Sequence, residues 1–202
     1  MSWHGSKAFT ADTGRTCEVH LPWQPSAALQ LMSNDQPPFS SPQTRTTIRP
    51  AKPSDKGFIA GLSGKVFSVY GPYRTTVSRW FESGVTMTYI SMAEGRPVGF
   101  VMIGALPESG EGQRHAEVLA IAVAPEFQRT GIGQEVLLYA HKRLEELGEQ
   151  RLFLHTAKEN LAAQKLFLRN GYRPVQIKKG FYPSGQDALM MVNDLEKDWN
   201  PK

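Results

Sequence analysis

Three consecutive segments near the middle of the chain leave few folds open. HAEVLAIAVAP (115–125) is an apolar, extended run that stops at Pro125. A long amphipathic pattern follows, with Ile132, Val136, Leu137, Ala140, Leu144 and Leu147 at helical spacing and Gly148 as its stop. RLFLHT (151–156) is a second extended run. Strand, helix and strand over 114–156 require a parallel pair joined by a crossover. That fixes a layered α/β domain.

The flanking segments extend this unit. VTMTYISMA, EGRP and VGFVMIGAL (85–106) read as a hairpin, as do YRPVQIKKGFY, PSGQD and ALMMVNDL (172–195). Thr46 to Arg49 read as a short strand, and Pro53 opens a helix whose first turn holds Ser54 and Asp55. TTVSRWFESG is a second helix stopped by Gly84, and Asn160 to Asn170 is a helix ended by Gly171. The expected order is β-α-α-β-β-β-α-β-α-β-β. This is a mixed, mostly antiparallel sheet of about seven strands with one central parallel pair and about four helices. Residues 1–44, with NDQPPFSSPQT and no sustained period, read as a disordered extension before a domain spanning 45–202.

Composition narrows the classes of partner. The 202 residues are 40% hydrophobic and 21% charged, close to the average for a globular domain. A net charge of +4 suits an anionic ligand, but no Lys/Arg run marks a nucleic-acid patch. No stretch approaches the ~18 apolar residues of a membrane span. The single cysteine, Cys17, cannot close an internal disulfide, and no secretory h-region opens the chain, so a cytoplasmic location is expected. No metal site is expected, and the oligomeric state stays open.

The turn EFQRTGIGQEV (126–136) carries the strongest chemical signal. Gly131 and Gly133 bracket a helix start, where unpaired N–H groups and the positive dipole end meet. A phosphate or pyrophosphate suits such a terminus, and glycines let the backbone approach it closely. Arg129 can add a charge-assisted contact. The spacing fits neither the dinucleotide fingerprint nor the Walker A loop.

Gln128-Arg129-Thr130-Gly131-Ile132-Gly133 resembles the Gln/Arg-x-x-Gly-x-Gly/Ala signature of the GNAT acetyltransferases. AEVLAIAVAP is similar to that family's central strand, ENLAAQKLFLRNGYRPV to its later helix motif, and TIRPAKPSD to its opening. The resemblance spans 46–194 and implies acetyl-CoA as co-substrate. It implies a pyrophosphate on the backbone of residues 129 to 134, including Gln134. It also implies a pantetheine arm along Ile121, Ala122 and Val123, and a contact from Asn160 near the thioester. Its usual tyrosine, the proposed acid for the leaving thiolate, falls on Phe167. Tyr182, Tyr172 or a water would then substitute, or no acid is needed, and Phe167 would pack on the pantetheine.

Two residues compete as the base. Strand alternation places Glu117 on one face with Leu119, Ile121 and Val123, and Glu117 matches the family position where many members carry a glutamate base. His155 stands near the carboxyl end of its strand, five residues before Asn160, where the resemblance implies the base of the protein N-terminal acetyltransferases. Histidine titrates near neutrality. Keeping a lysine neutral at pH 7 costs roughly 4–5 kcal/mol against roughly 1 for an α-amine, so a histidine base suits an α-amine. KKGFYPSGQDALMM resembles the last hairpin of those enzymes, with Phe181-Tyr182 in place of a Tyr-Tyr pair. This implies a substrate contact from the Tyr182 hydroxyl and packing from Phe181. Tyr70 and Tyr73 would line the acceptor slot. The leading expectation is acetyl transfer to a protein or peptide N-terminal amine by direct attack in a ternary complex. A small-molecule amine as acceptor, or acyl-CoA binding without catalysis, are the alternatives.

Overall fold

The computed structural model describes residues 46–106 and 115–195. The extension at 1–44, Cys17 within it, and the last residues of the chain lie outside the described residues. The elements are β1 (Thr46–Pro50), α1 (Lys56–Val66), α2 (Tyr73–Glu82), β2 (Thr86–Ala93), β3 (Arg96–Ala105), β4 (His115–Val123), α3 (Ile132–Glu146), β5 (Arg151–Ala157), α4 (Leu161–Arg169), β6 (Arg173–Lys178) and β7 (Ala188–Asp194). The seven strands form one sheet in the order β1-β2-β3-β4-β5-β7-β6. Only β4 and β5 run parallel, joined by α3. This is the mixed sheet with a central parallel pair and four α-helices that the sequence predicts.

Apolar periodicity sets which helix covers which face. On one face Val101, Ile103, Val118 and Leu154 pack against Val136, Leu137 and Leu144 of α3 and Phe167 of α4. On the other, Phe100, Met102, Ala120 and Ala122 pack against Ile59 and Leu62 of α1 and Val77 of α2. Asp55 anchors the entry to α1. Its carboxylate takes both Arg49 guanidinium nitrogens at 2.7 and 2.9 Å and the Lys52 amide at 2.6 Å. The Arg49 hydrogen bond outweighs burial and lowers the Asp55 carboxyl below its usual value.

One expectation about β4 is corrected. Val118 pairs with Ile103 and Ala120 with Met102, which leaves Leu119 as an extra residue in a β-bulge. Leu119 packs on the α1/α2 side together with its neighbour Ala120. Past the bulge, Ile121 packs on the α3 side. Glu117 and Leu119 therefore do not share a face with Ile121 and Val123. The bulge turns the second half of the strand over.

The chain after α4 turns in a Schellman arrangement. Gly171 (φ +84°) donates to Leu168 O, and Tyr172 donates to Phe167 O at 3.1 Å. This sends Tyr172 into the core on the α3 side, where its hydroxyl meets His141 Nε2 at 2.9 Å. Burial pulls the His141 imidazole down to about 4 and pushes the Tyr172 phenol well up. His141 is neutral in the fold but charges near 6.5 once unfolded. Its contribution is therefore complete above pH ~6.5 and drains away as pH falls toward ~4, by about 3 kcal/mol. Urea denaturation at pH 7 and pH 4 is expected to show that extra loss in the parent and not in His141→Gln.

Candidate active site

The parallel pairing of β4 and β5 is short. It runs from His115↔Arg151 to Val118↔Leu154 and stops. Beyond it β4 keeps only β3 as a neighbour, through Gly99↔Val123, and β5 keeps only β7, through Ala157↔Ala188. The strands thus part toward their carboxyl ends, and the β4 edge over 119–123 faces the gap without a strand partner among the described residues.

His155 sits one residue past the last β4–β5 pair. Its Nδ1 lies 2.7 Å from Glu117 Oε1. Glu117 aligns with Phe153, so His155, two residues further along β5, emerges on the same face. Their side chains are only 11% and 23% exposed. Phe181 stacks on the imidazole with ring centroids 4.5 Å apart and 15° between planes. His155 Nε2 is sealed from solvent and has no hydrogen-bond partner among the described residues. The two candidate bases are thus a directly bonded pair.

Two loops meet at the β5 end, and one of them lays Phe181 on this pair. The segment between α1 and α2 brings Tyr70, and α2 begins with Tyr73. The β6–β7 loop brings Phe181 and Tyr182. Tyr182 lies 4.9 Å from Tyr70 and 6.2 Å from Tyr73, and meets Phe181 edge-on. With Ala157 and Ala188 they make a small apolar cluster at the β5 end. Gln186 donates to Val69 O at 2.7 Å and Ser184 donates to Tyr70 O, so the loops are bonded to each other. Lys179 and the Gly180 amide hold Asp187 at the base of the loop, and the Lys179 hydrogen bond lowers its carboxyl. Gln186 was not singled out in the sequence, because PSGQD reads only as a turn.

Tyr182 is buried, and burial together with Tyr73 and Tyr70 raises its phenol strongly. Burial also raises Tyr73, and it raises Tyr70 with Asn160 acting the other way. Asn160 spends its side-chain oxygen as the N-cap of α4, accepting from the Ala163 amide at 3.1 Å. Phe167 is buried against Tyr172 in the core. Tyr172 is bonded to His141 on the opposite face from His155, so it is not placed to serve as the missing acid.

The glycine turn lies at the other side of the gap. Gly131 caps α3 with φ +96° and accepts from the Gln134 and Glu135 amides. A Cβ there would meet nothing within 4 Å, so the requirement at this position is backbone conformation and open space. Arg129 also holds a positive φ of 64°, and its side chain is exposed. Gln128 donates to Val123 O at 3.0 Å and Thr130 to Phe127 O at 2.6 Å, which braces the turn against the end of β4. The result is an open helix N-terminus whose Ile132 and Gly133 amides, ahead of the first bond back to Gly131 O, lack an intrahelical acceptor. Ile132 anchors it in the core, and a Cβ at Gly133 would meet Leu166 and Val123 at ordinary contact distance. A diphosphate fits here.

Residues 55–172 match the Acetyltransferase (GNAT) family, and the chain belongs to that family. It is an N-acetyltransferase that uses acetyl-CoA as co-substrate. No curated protein matches the chain by sequence. Among solved structures it is similar to the ribosomal-protein-S18-alanine N-acetyltransferase from Escherichia coli, at 22% identity, TM-score 0.64, and coverage of 75% of this chain and 94% of the other. Arabidopsis thaliana NAA60, in complex with a bisubstrate analogue, aligns at 18% identity, TM-score 0.65, over 74% and 98%. yncA of Salmonella typhimurium, with its cofactor acetyl-CoA, aligns at 17% identity, TM-score 0.64, over 78% and 98%. At these identities the likeness is one of fold. No helix among the described residues is long and apolar enough to cross a membrane.

Proposed function

We propose that the protein acetylates the N-terminal α-amine of a protein or peptide, with His155 as the base. The observation that carries this reading is the pair of bonded loops. They cluster Tyr70, Tyr73 and Tyr182, and Phe181 beside Tyr182 stacks on an imidazole whose Nε2 has no partner among the described residues. Clustered tyrosine hydroxyls suit the polar backbone of an extended peptide. An imidazole suits an amine that ionises near 8. The likeness to a ribosomal-protein-alanine enzyme and to NAA60 supports the same acceptor class.

The reaction balances simply. The acceptor ammonium gives one proton to His155 Nε2 when the cover over the ring opens to admit the acceptor or one water, and from there the proton passes to solvent. The neutral amine attacks the thioester carbonyl, the C–N bond forms and the C–S bond breaks. The second amine proton goes to the departing thiolate. Amides of the β4 edge are the donors available to the acyl end. Tyr182, with its phenol raised far above a thiol's ~8.5, donates a hydrogen bond to the acceptor rather than a proton to sulfur. With phenylalanine at 167, the thiolate takes its proton from the amine or from water. Residues 129–134, with Arg129, hold the diphosphate.

Release of CoA thiol tests the acceptor class. Peptides with a free N-terminus are expected to turn over, while the same peptides blocked at the N-terminus but carrying lysine are not. Turnover confined to polyamines or free amino acids would replace this reading.

A further inference from the structure

We infer that Glu117 is a positioning residue that fixes the tautomer of His155, and is not itself the base. The inference rests on the reading of His155 as base and assigns the second member of the pair. An ionised carboxylate only accepts hydrogen bonds. At 2.7 Å from Glu117 Oε1, Nδ1 of a neutral His155 must therefore be the protonated nitrogen. The lone pair then lies on Nε2. That atom is buried and has no partner among the described residues, an arrangement a fold seldom keeps without use.

Three features hold the ring in that state. The β4–β5 register aligns Glu117 with Phe153 and so sets the carboxylate beside the imidazole. The bulge at Leu119 lies beyond Glu117, so it turns the following residues over while leaving Glu117 on the His155 face. Phe181, stacked at 15°, opposes rotation of the ring plane. Glu117 spends one oxygen on the imidazole, and Nε2 is the buried basic atom of the pair with no partner among the described residues. The proton from the acceptor thus lands on Nε2, and the carboxylate stabilises the imidazolium until that proton reaches solvent.

The tautomer can be read without any acceptor. Long-range 1H–15N correlation spectra of the full chain at pH ~8, near the ionisation of an α-amine, are expected to show His155 with protonated Nδ1 and bare Nε2. Assignment would come from the His155→Gln variant. A protonated Nε2 overturns the inference. In Glu117→Gln the amide can accept or donate, so the Nδ1–H signature is expected to be lost in favour of a mixture. Its kcat, measured with any amine the parent accepts, should fall on the order of 10²-fold, with the KM for acetyl-CoA within about twofold. If Glu117→Gln keeps the Nδ1–H tautomer yet loses as much kcat as a His155 variant, Glu117 is the base. If Glu117→Gln does not fold, the parent spectrum alone decides. Failure of peptide acceptors would change the proposed substrate and leave this readout untouched.

Discussion

Replacing His155 by alanine is expected to lower kcat by about 10²–10⁴-fold, the usual worth of a general base. The expected loss is in kcat, because His155 touches neither the glycine turn nor the β4 edge, and binding of CoA should survive. The fold should survive too. His155 lies in the diverging part of the sheet, and its side chain meets Glu117 and Phe181. Steady-state rates with a fixed peptide, alongside CoA titration, check this. A rate within about threefold of the parent removes His155 from the chemistry.

The second large effect is expected at Gly131. Alanine at φ +96° enters a region costly for L-residues, by roughly 1–2 kcal/mol. The turn would relax by rotating the amides proposed to hold the diphosphate. Charge-assisted hydrogen bonds are each worth about 1.5–3 kcal/mol. Losing one raises the Kd for CoA by about 10–100-fold. Because a Cβ at this point meets no protein atom within 4 Å, packing of the domain is not the cause. Calorimetric titration with CoA checks it, and unchanged affinity would separate the diphosphate from this turn.

The crossover, the hairpins and the glycine turn were legible in the sequence because each is written in local signals. Period 3.6 marks α3, extended apolar runs mark β4 and β5, and Gly131 stands where only its backbone freedom is useful. The bulge was not legible. Ala116, Val118, Ala120 and Ala122 alternate with Leu119, Ile121 and Val123, so both sets are apolar and an inverted phase leaves no trace in the pattern. The contact of Glu117 with His155 was hidden for a different reason. It depends on the β4–β5 register, which α3 and its flanking turns determine across 38 positions. The bonding of Gln186 to Val69 is likewise a long-range event between two loops, each of which reads as an ordinary turn.

A strand that changes sides at Leu119 answers to two masters. Ahead of that point its side chains can be selected for proton chemistry, and after it for grip on the donor, with neither choice constraining the other. The surplus position is the one residue the pairing skips. Excising Leu119 would bring Val118 and Ala120 together opposite Ile103 and Met102, so Glu117 would stay opposite Gly104 and beside its imidazole. Such a protein would keep its catalytic pair and lose the extra twist that the bulge gives the strand.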